Sequence, residues 1–142
     1  MNNSPPIEWL AGFFEGEGSI GGTIESARMS CGVHRTSFTV KVMTTSQSEP
    51  EYFLSHFGVG DIWADEDNRG NRADTYSWQV YGANAKYVLE QLEPHLHGPK
   101  KEQARIGIEF LEVVEKCENP VSEDNAKRRV ELIKQLQKLT QN

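Results

Sequence analysis

Glu15 and Glu17 stand one residue apart, with Gly16 between them and Gly18 after, at the end of the apolar run Ile7 to Gly18, IEWLAGFFEGEG. Carboxylates set close together on permissive backbone are candidate ligands for a hard cation. Mg²⁺ takes carboxylate oxygens and keeps waters for use on phosphate substrates. At the end of a helix the two charges would meet the negative pole of the macrodipole, which is unfavourable for stability alone. A divalent cation reverses that argument, and the alternative is a plain glycine helix stop with two solvated glutamates.

The element that positions these carboxylates is the apolar run itself. At helical spacing Ile7, Leu10, Ala11 and Phe14 form one stripe, and Trp9, Gly12, Phe13 and Gly16 form a second beside it. Only Glu8 and Glu15 mark a polar edge. A helix with two apolar faces is expected to be buried on both sides, one against its own domain and one against something else. Small residues at Gly12 and Gly16 let two helix backbones approach closely. The partner expected on that face is the same helix of a second copy, which makes Trp9, Gly12, Phe13 and Gly16 the candidate dimer interface. Ser4 is placed to cap the helix, with Pro5 at its first position.

Leu10-Ala11-Gly12-Phe13-Phe14-Glu15-Gly16-Glu17-Gly18 resembles, position for position, the signature of the LAGLIDADG homing endonucleases. Leu10, Ala11, Gly12 and Gly18 are identical, and Glu15 and Glu17 replace the family's aspartates. The likeness extends to Phe57-Gly58-Val59-Gly60 and Leu92-Glu93-Pro94-His95-Leu96, and fades beyond about Lys116. Single-motif members of that family are homodimers, and no second copy of the nonapeptide occurs in this chain. The resemblance implies a site-specific double-strand DNA endonuclease that cuts a long, near-palindromic target by metal-dependent hydrolysis. It implies that Glu17, with Gly16 beside it, forms the metal position near a molecular twofold, occupied by Mg²⁺ or another divalent cation such as Mn²⁺ or Ca²⁺. Glu15 is then a helix-end residue. The resemblance further implies a cation beside the active site at Lys100, with Lys101 close enough to exchange roles, and a solvent-organising polar residue at Thr44, with Gln47 as the alternative. Two other activities are open to the same scaffold: an intron RNA-splicing maturase, for which RNA would be the partner, and a non-cleaving DNA-binding regulator.

A chain of 142 residues is long enough to bury a core without staples, and residues 1–142 are expected to form a single domain with a C-terminal helical extension at about 120–142. No apolar run is long enough to cross a membrane, and the start has neither a signal peptide's apolar core nor a transit peptide's arginines, so an intracellular protein is expected. Cys31 and Cys117 lie far apart outside any C-x-x-C or Cys/His cluster, which supports neither a disulfide framework nor a zinc site. The formal charge of −6 runs against nucleic-acid binding, which ordinarily shows as excess Lys and Arg. What matters is how charge is distributed, and Glu109, Glu112, Glu115, Glu118, Glu123 and Asp124 fall on expected outer helices.

After the first helix, Ser19 to Met29 reads as a strand with Ile20 and Ile24 on one face and Gly21-Gly22 as a candidate bulge. In the strand His34 to Thr45, Phe38, Val40 and Val42 alternate inward. Ser48-Glu49-Pro50-Glu51 reads as a capping box opening a helix that stops at Gly58. Gly60 to Asp65 and Asp74 to Tyr81 make a hairpin around the polar loop Asp67 to Arg72, with Tyr76, Trp78 and Val80 facing inward. A helix with Ala85, Val88, Leu89, Leu92 and Leu96 in phase follows, then one over about Lys100 to Cys117, a break at Asn119-Pro120 and a last helix with Val130, Ile133, Leu136 and Leu139. The order αββαββα plus extra helices specifies an α+β fold, a four-stranded antiparallel sheet with helices on one face, and is the order the resemblance implies.

The uncovered face would then carry Ser19, Thr23, Glu25, Ser37, Thr39, Lys41, Thr75, Ser77 and Gln79, mostly small hydrogen-bonding side chains. A strand pair fits the major groove, where such groups read base edges or hold phosphates. A solvated sheet face is the competing reading. Trp63 points the same way, either to stack on nucleic acid or to lie under the flanking loop. Arg28, Arg35, Arg69 and Arg72 are loop candidates for phosphate contacts.

Overall fold

The computed structural model describes residues 5–65 and 74–140. Its order is α1 (Ile7–Glu17), β1 (Gly18–Arg28), β2 (His34–Thr44), α2 (Ser48–Phe57), β3 (Asp61–Asp65), β4 (Thr75–Val80), α3 (Gly82–Leu92), a 3-10 turn at Glu93–His95, α4 (Gly98–Glu115) and α5 (Glu123–Thr140). The four strands form one sheet in the order β1-β2-β4-β3, and each neighbouring pair is antiparallel. This is the expected α+β architecture.

Period-two alternation decides which face of the sheet is buried. Ile20, Phe38, Val40, Val42, Trp78 and Val80 point to one side and are at most 7% exposed. The helices cover that side, supplying Leu10 and Phe14 from α1, Phe53 and Phe57 from α2, Leu89 and Leu92 from α3, Phe110 from α4 and Leu136 from α5 to one continuous core. Trp78 lies at its centre, with Phe53 and Phe57 against its ring at 5.1 and 5.8 Å and its indole N–H donated to the Val59 carbonyl. None of the helices among the described residues is long and apolar enough to cross a membrane.

Several local expectations give way to longer-range contacts. The first helix starts at Ile7, with Pro6 as its cap and no side-chain capping bond, so Pro5 lies before it, and Ser4 lies outside the described residues. At Ser48 no capping box forms; Ser48 is already helical and its hydroxyl donates to the neighbouring Glu49 carboxylate. Gly16 remains helical, and Gly18 leaves the helix at φ −81°, a conformation open to any residue. What requires glycine at Gly18 is space, since a Cβ there would sit 2.1 Å from the Phe14 ring. Gly21 and Gly22 are paired in unbroken register with Thr39 and Phe38, and the irregularity falls later, between Ile24 and Arg28. Gly22 is instead where α5 comes down on the sheet: Ile133 fills the place of its missing Cβ, and Gln137 donates to its carbonyl. The C-terminal helix thus packs on β1, β2 and α4 as part of the core.

Candidate active site and nucleic-acid interface

The core stripe of α1 is fully buried through Leu10, Ala11 and Phe14, while Gly12 and Gly16 on the second face are exposed and have nothing within 4 Å of where a Cβ would stand. Trp9 lies flat on Phe13 at 5.3 Å, edge-on to Tyr52, and remains 42% exposed. The four candidate interface residues therefore form one glycine-floored strip, with Trp9 exposed and Phe13 half-buried as its aromatic walls. A glycine inside a helix costs about 1 kcal/mol relative to alanine. Among the described residues, nothing lies within 4 Å of the places that the two missing Cβ atoms would take.

The two glutamates have different surroundings. Glu15 Oε1 accepts a 2.8 Å hydrogen bond from the backbone N–H of His97, the residue that caps α4, and lies 3.3 Å from His97 Nδ1. Its charge, unfavourable at the end of α1, faces the positive end of α4, so Glu15 fastens the two helices together. Glu17 is exposed. It lines a hollow of about 470 Å³ with Phe13, Met43, Thr44 and Thr75. Thr44 is thus beside Glu17, its hydroxyl bonded to the Ser46 carbonyl, whereas Gln47 turns away to Glu51 in α2. Glu49 lines the same hollow, but its Oε2 accepts from the hydroxyls of Ser48 and Ser46.

Lys100 and Lys101 separate just as clearly. Lys100 Nζ donates to the Gly18 carbonyl at 2.6 Å, one residue from Glu17, and stands 5.8 Å above the Phe14 ring. It reaches the α1–β1 junction from the side of Ser19, in a separate hollow from that of Glu17. Burial lowers its pKa below the usual lysine value, opposed by the negative charge of Glu15. Lys101 points to the 3-10 turn, where it bonds the carbonyl and pairs with the carboxylate of Glu93.

On the open face of the sheet, Ser19, Thr23, Ser37, Thr39, Lys41 and Gln79 come together around a shallow concavity whose floor is Gly21 and Gly22. Strand register places Ser19, Lys41, Gln79 and Asp61 in one row across all four strands. Thr23 and Ser37, directly opposed, bond through their hydroxyls. Glu25 and Arg35 are exposed farther along the same strands, and Thr75 lies at the other end by Glu17.

Two predicted contacts are displaced. Ser77 is on the open face but only 5% exposed, and its Oγ accepts from Gln79, so it forms floor and not a probe. Arg28 stands in phase with Ile20 and Ile24 and opposite His34, on the helical side of the sheet; its guanidinium folds back on the Gly32 carbonyl and lines a cavity with Glu123, Lys127 and Glu131 of α5. Arg69 and Arg72 lie outside the described residues. Trp63 projects from the open face, 58% exposed. Met43, an apolar residue that breaks the polar pattern of its strand, projects on the same face across Ser77 from Trp63 and is 44% exposed. Its place in the outward alternation after Lys41 was the signal that could have found it.

Charge is segregated by layer. Glu109, Glu112, Glu115 and Glu123 lie on α4 and α5, paired with Arg128, Lys86 and Lys127. The open face is not itself basic: among the described residues, Lys41 and Arg35 stand against Glu25, Asp61 and Asp65, and Asp61 accepts from the Tyr81 hydroxyl.

By sequence, the chain matches no protein-family model and no curated protein. Its structure matches the homing endonuclease I-CvuI, solved in complex with its target in the presence of Ca, with a TM-score of 0.76 over 96% of this chain and 82% of that one at 21% identity. An archaeal intron-encoded homing endonuclease, I-Vdi141I, complexed with DNA, matches at 0.77 over 94% and 82%, with 23% identity. The fold is that of the LAGLIDADG homing endonucleases. A third structure with this fold, the homing endonuclease I-TnaI, is similar at 0.72 over 96% of this chain and 95% of its own, with 18% identity. At these identities the likeness is one of architecture. In LAGLIDADG terms the signature helix of this chain is α1, and its second carboxylate is Glu17.

Proposed function

We propose that this chain is a site-specific double-strand DNA endonuclease that works as a homodimer and hydrolyses phosphodiesters with a divalent cation. The observation that carries this reading is the joint geometry of α1: an exposed glycine strip suited to a second copy of itself ends in an exposed carboxylate, Glu17. Two such helices packed through Gly12 and Gly16 bring both Glu17 side chains to the twofold. Among the described residues no cluster of three or more His, Cys, Asp or Glu can hold a metal within one chain. That fits Mg²⁺, which is commonly bound by one or two carboxylates together with water and substrate phosphate. Glu17 from each protomer, with the neighbouring Gly16, would hold the ion, and Mn²⁺ or Ca²⁺ suits the same oxygens. When bound, the ion supplies Lewis acidity and a water of lowered pKa.

The chain's own groups do the rest. Lys100, held at the Gly18 carbonyl, sets a positive charge near the phosphate, where it stabilises charge developing in the transition state. Thr44 borders the Glu17 hollow and orders solvent there. The open sheet face, with Ser19, Thr23, Glu25, Arg35, Thr39, Lys41, Trp63, Thr75 and Gln79 on its described strands, enters the major groove and selects the sequence. An overall charge of −6 is compatible with this because the acids on α4 and α5 are on the opposite side of the sheet.

The reading is tested by offering the protein a plasmid library of candidate targets with Mg²⁺ and, separately, with a chelator. Linear product with Mg²⁺ alone supports it. Selective binding without cutting turns it into a DNA-binding regulator, and activity confined to intron RNA turns it into a maturase.

Two further results are expected. Lys41→Ala should alter base preference if the lysine reads a base edge, or reduce the salt dependence of binding by about one counterion if it holds a phosphate. Unchanged binding in both respects removes Lys41 from the interface. The second concerns pH. Because burial lowers the pKa of Lys100, the folded chain releases that proton at a lower pH than the unfolded chain does. The charge is present below the folded pKa and lost as pH rises through it, so cleavage should decline on the alkaline side before the ordinary lysine range is reached. Lys100→Arg keeps its charge throughout, and should remove that decline. An identical alkaline limb in both proteins would exclude Lys100 as its source.

A further inference from the structure

Among the described residues, the strands of the open face are polar except in one row. Met43 of β2 and Trp63 of β3 lie on either side of Ser77 of β4, each directly opposed to it in register. They are 44% and 58% exposed, while Ser77 between them is 5% exposed with its hydroxyl taken by Gln79. The row is therefore two apolar side chains standing above a satisfied polar floor. The next outward row holds Lys41 and Gln79, and on the other side Met43 adjoins Thr75 in the hollow lined by Glu17.

Water is a poor occupant for this row, because exposed Trp and Met lose the benefit of burial. A second protein is also a poor fit. A stable protein interface buries about 800 Å² on each partner, and this row is two side chains interrupted by serine, with hydrogen-bonding groups around Trp63 and with Phe13 of α1 next to Met43 in the Glu17 hollow. Duplex DNA offers apolar groups of the right size: the only one in the major groove is the thymine 5-methyl, which projects among the donors and acceptors that Lys41 and Gln79 suit. Met43 and Trp63 are two strand spacings apart, roughly 10 Å, comparable with the roughly 12 Å width of the groove. They therefore address separate bases.

We propose that Met43 and Trp63 are specificity-determining residues that read thymine 5-methyl groups at two separate positions by apolar contact, an inference that rests on the open sheet face binding duplex DNA. Trp63 presents a broad surface and Met43 a flexible, polarizable one, so each can cover a methyl without a hydrogen bond.

The test starts with duplexes selected by the full chain from a randomised library in EDTA, where bound DNA is not cut. Each thymine of the recovered sequence is then replaced by deoxyuridine, which removes only the methyl. Wild-type protein should lose affinity by about fourfold at each of two positions, the equivalent of one buried methyl group. Met43→Ala should abolish the loss at one position and Trp63→Ala at the other, each variant binding the deoxyuridine duplex as wild type does. Met43→Gln, which keeps length and removes apolar character, should match Met43→Ala. Indifference to every thymine methyl overturns the proposal, as does a variant whose affinity falls equally for thymine and deoxyuridine duplexes. If no sequence is enriched at all, it is the DNA role of the sheet that fails, and the proposal with it.

Discussion

Glu17→Gln should lower DNA cleavage roughly a hundredfold or more, because an amide keeps the shape of the side chain and loses the charge that a hard cation requires, and the ion supplies several kcal/mol of transition-state stabilisation. Binding should be unchanged or slightly tighter in the absence of metal, since a carboxylate near phosphates is repulsive until an ion intervenes. Single-turnover cleavage with Mg²⁺ and equilibrium binding in EDTA separate the two effects. Glu15→Gln provides the contrast. Its remaining carbonyl oxygen can still accept from the His97 N–H, so the loss is that of charge at a helix start, about 1 kcal/mol of stability or less, with cleavage largely retained. Near wild-type cutting by Glu17→Gln would remove Glu17 from the active site.

Gly16→Leu should abolish cleavage while leaving each protomer folded. Among the described residues of one chain nothing lies within 4 Å of a Cβ at this position, so a side chain can leave the backbone there without a clash. Replacing a helical glycine should even raise protomer stability, by about 1 kcal/mol. Against a second copy the same side chain holds two backbones apart and separates the Glu17 pair. Sedimentation should show a dimer for the wild type and a monomer for the variant, with thermal melting unchanged or higher in the variant at low concentration. A wild type that sediments as a monomer at micromolar concentration without DNA, or a fully active Gly16→Leu, would exclude the shared-helix arrangement.

Much of this molecule follows from short-range pattern. The alternation of Phe38, Val40 and Val42 and of Trp78 and Val80 defines the buried side of the sheet and leaves Lys41, Thr39 and Gln79 on the other, because side-chain direction in a strand is settled by parity alone. The two stripes of α1 are equally local, and they explain why Leu10 and Phe14 are buried while Gly12 and Gly16 are exposed. The nonapeptide pointed to the architecture that this chain shares with I-CvuI and I-Vdi141I.

What only the tertiary structure decided depends on residues far apart in the chain. Glu15 was expected to be a helix-end residue, but its partner, the backbone N–H at the start of α4, lies 82 residues on. Gly22 suggested a bulge, yet its missing Cβ is filled by Ile133, and the true irregularity lies past Ile24, where two extra residues of β1 leave its alternation unchanged. Lys100 and Lys101 are neighbours with one composition, and only the packing of α4 sends the first to Gly18 and the second to Glu93. Ser77 sits at an outward position but is covered, because the strands on either side bring Met43 and Trp63 opposite it. Parity and helical phase give the direction in which a side chain leaves its own element; what it meets is set by the docking of other elements, whose contacts carry no periodic trace in the residues around it.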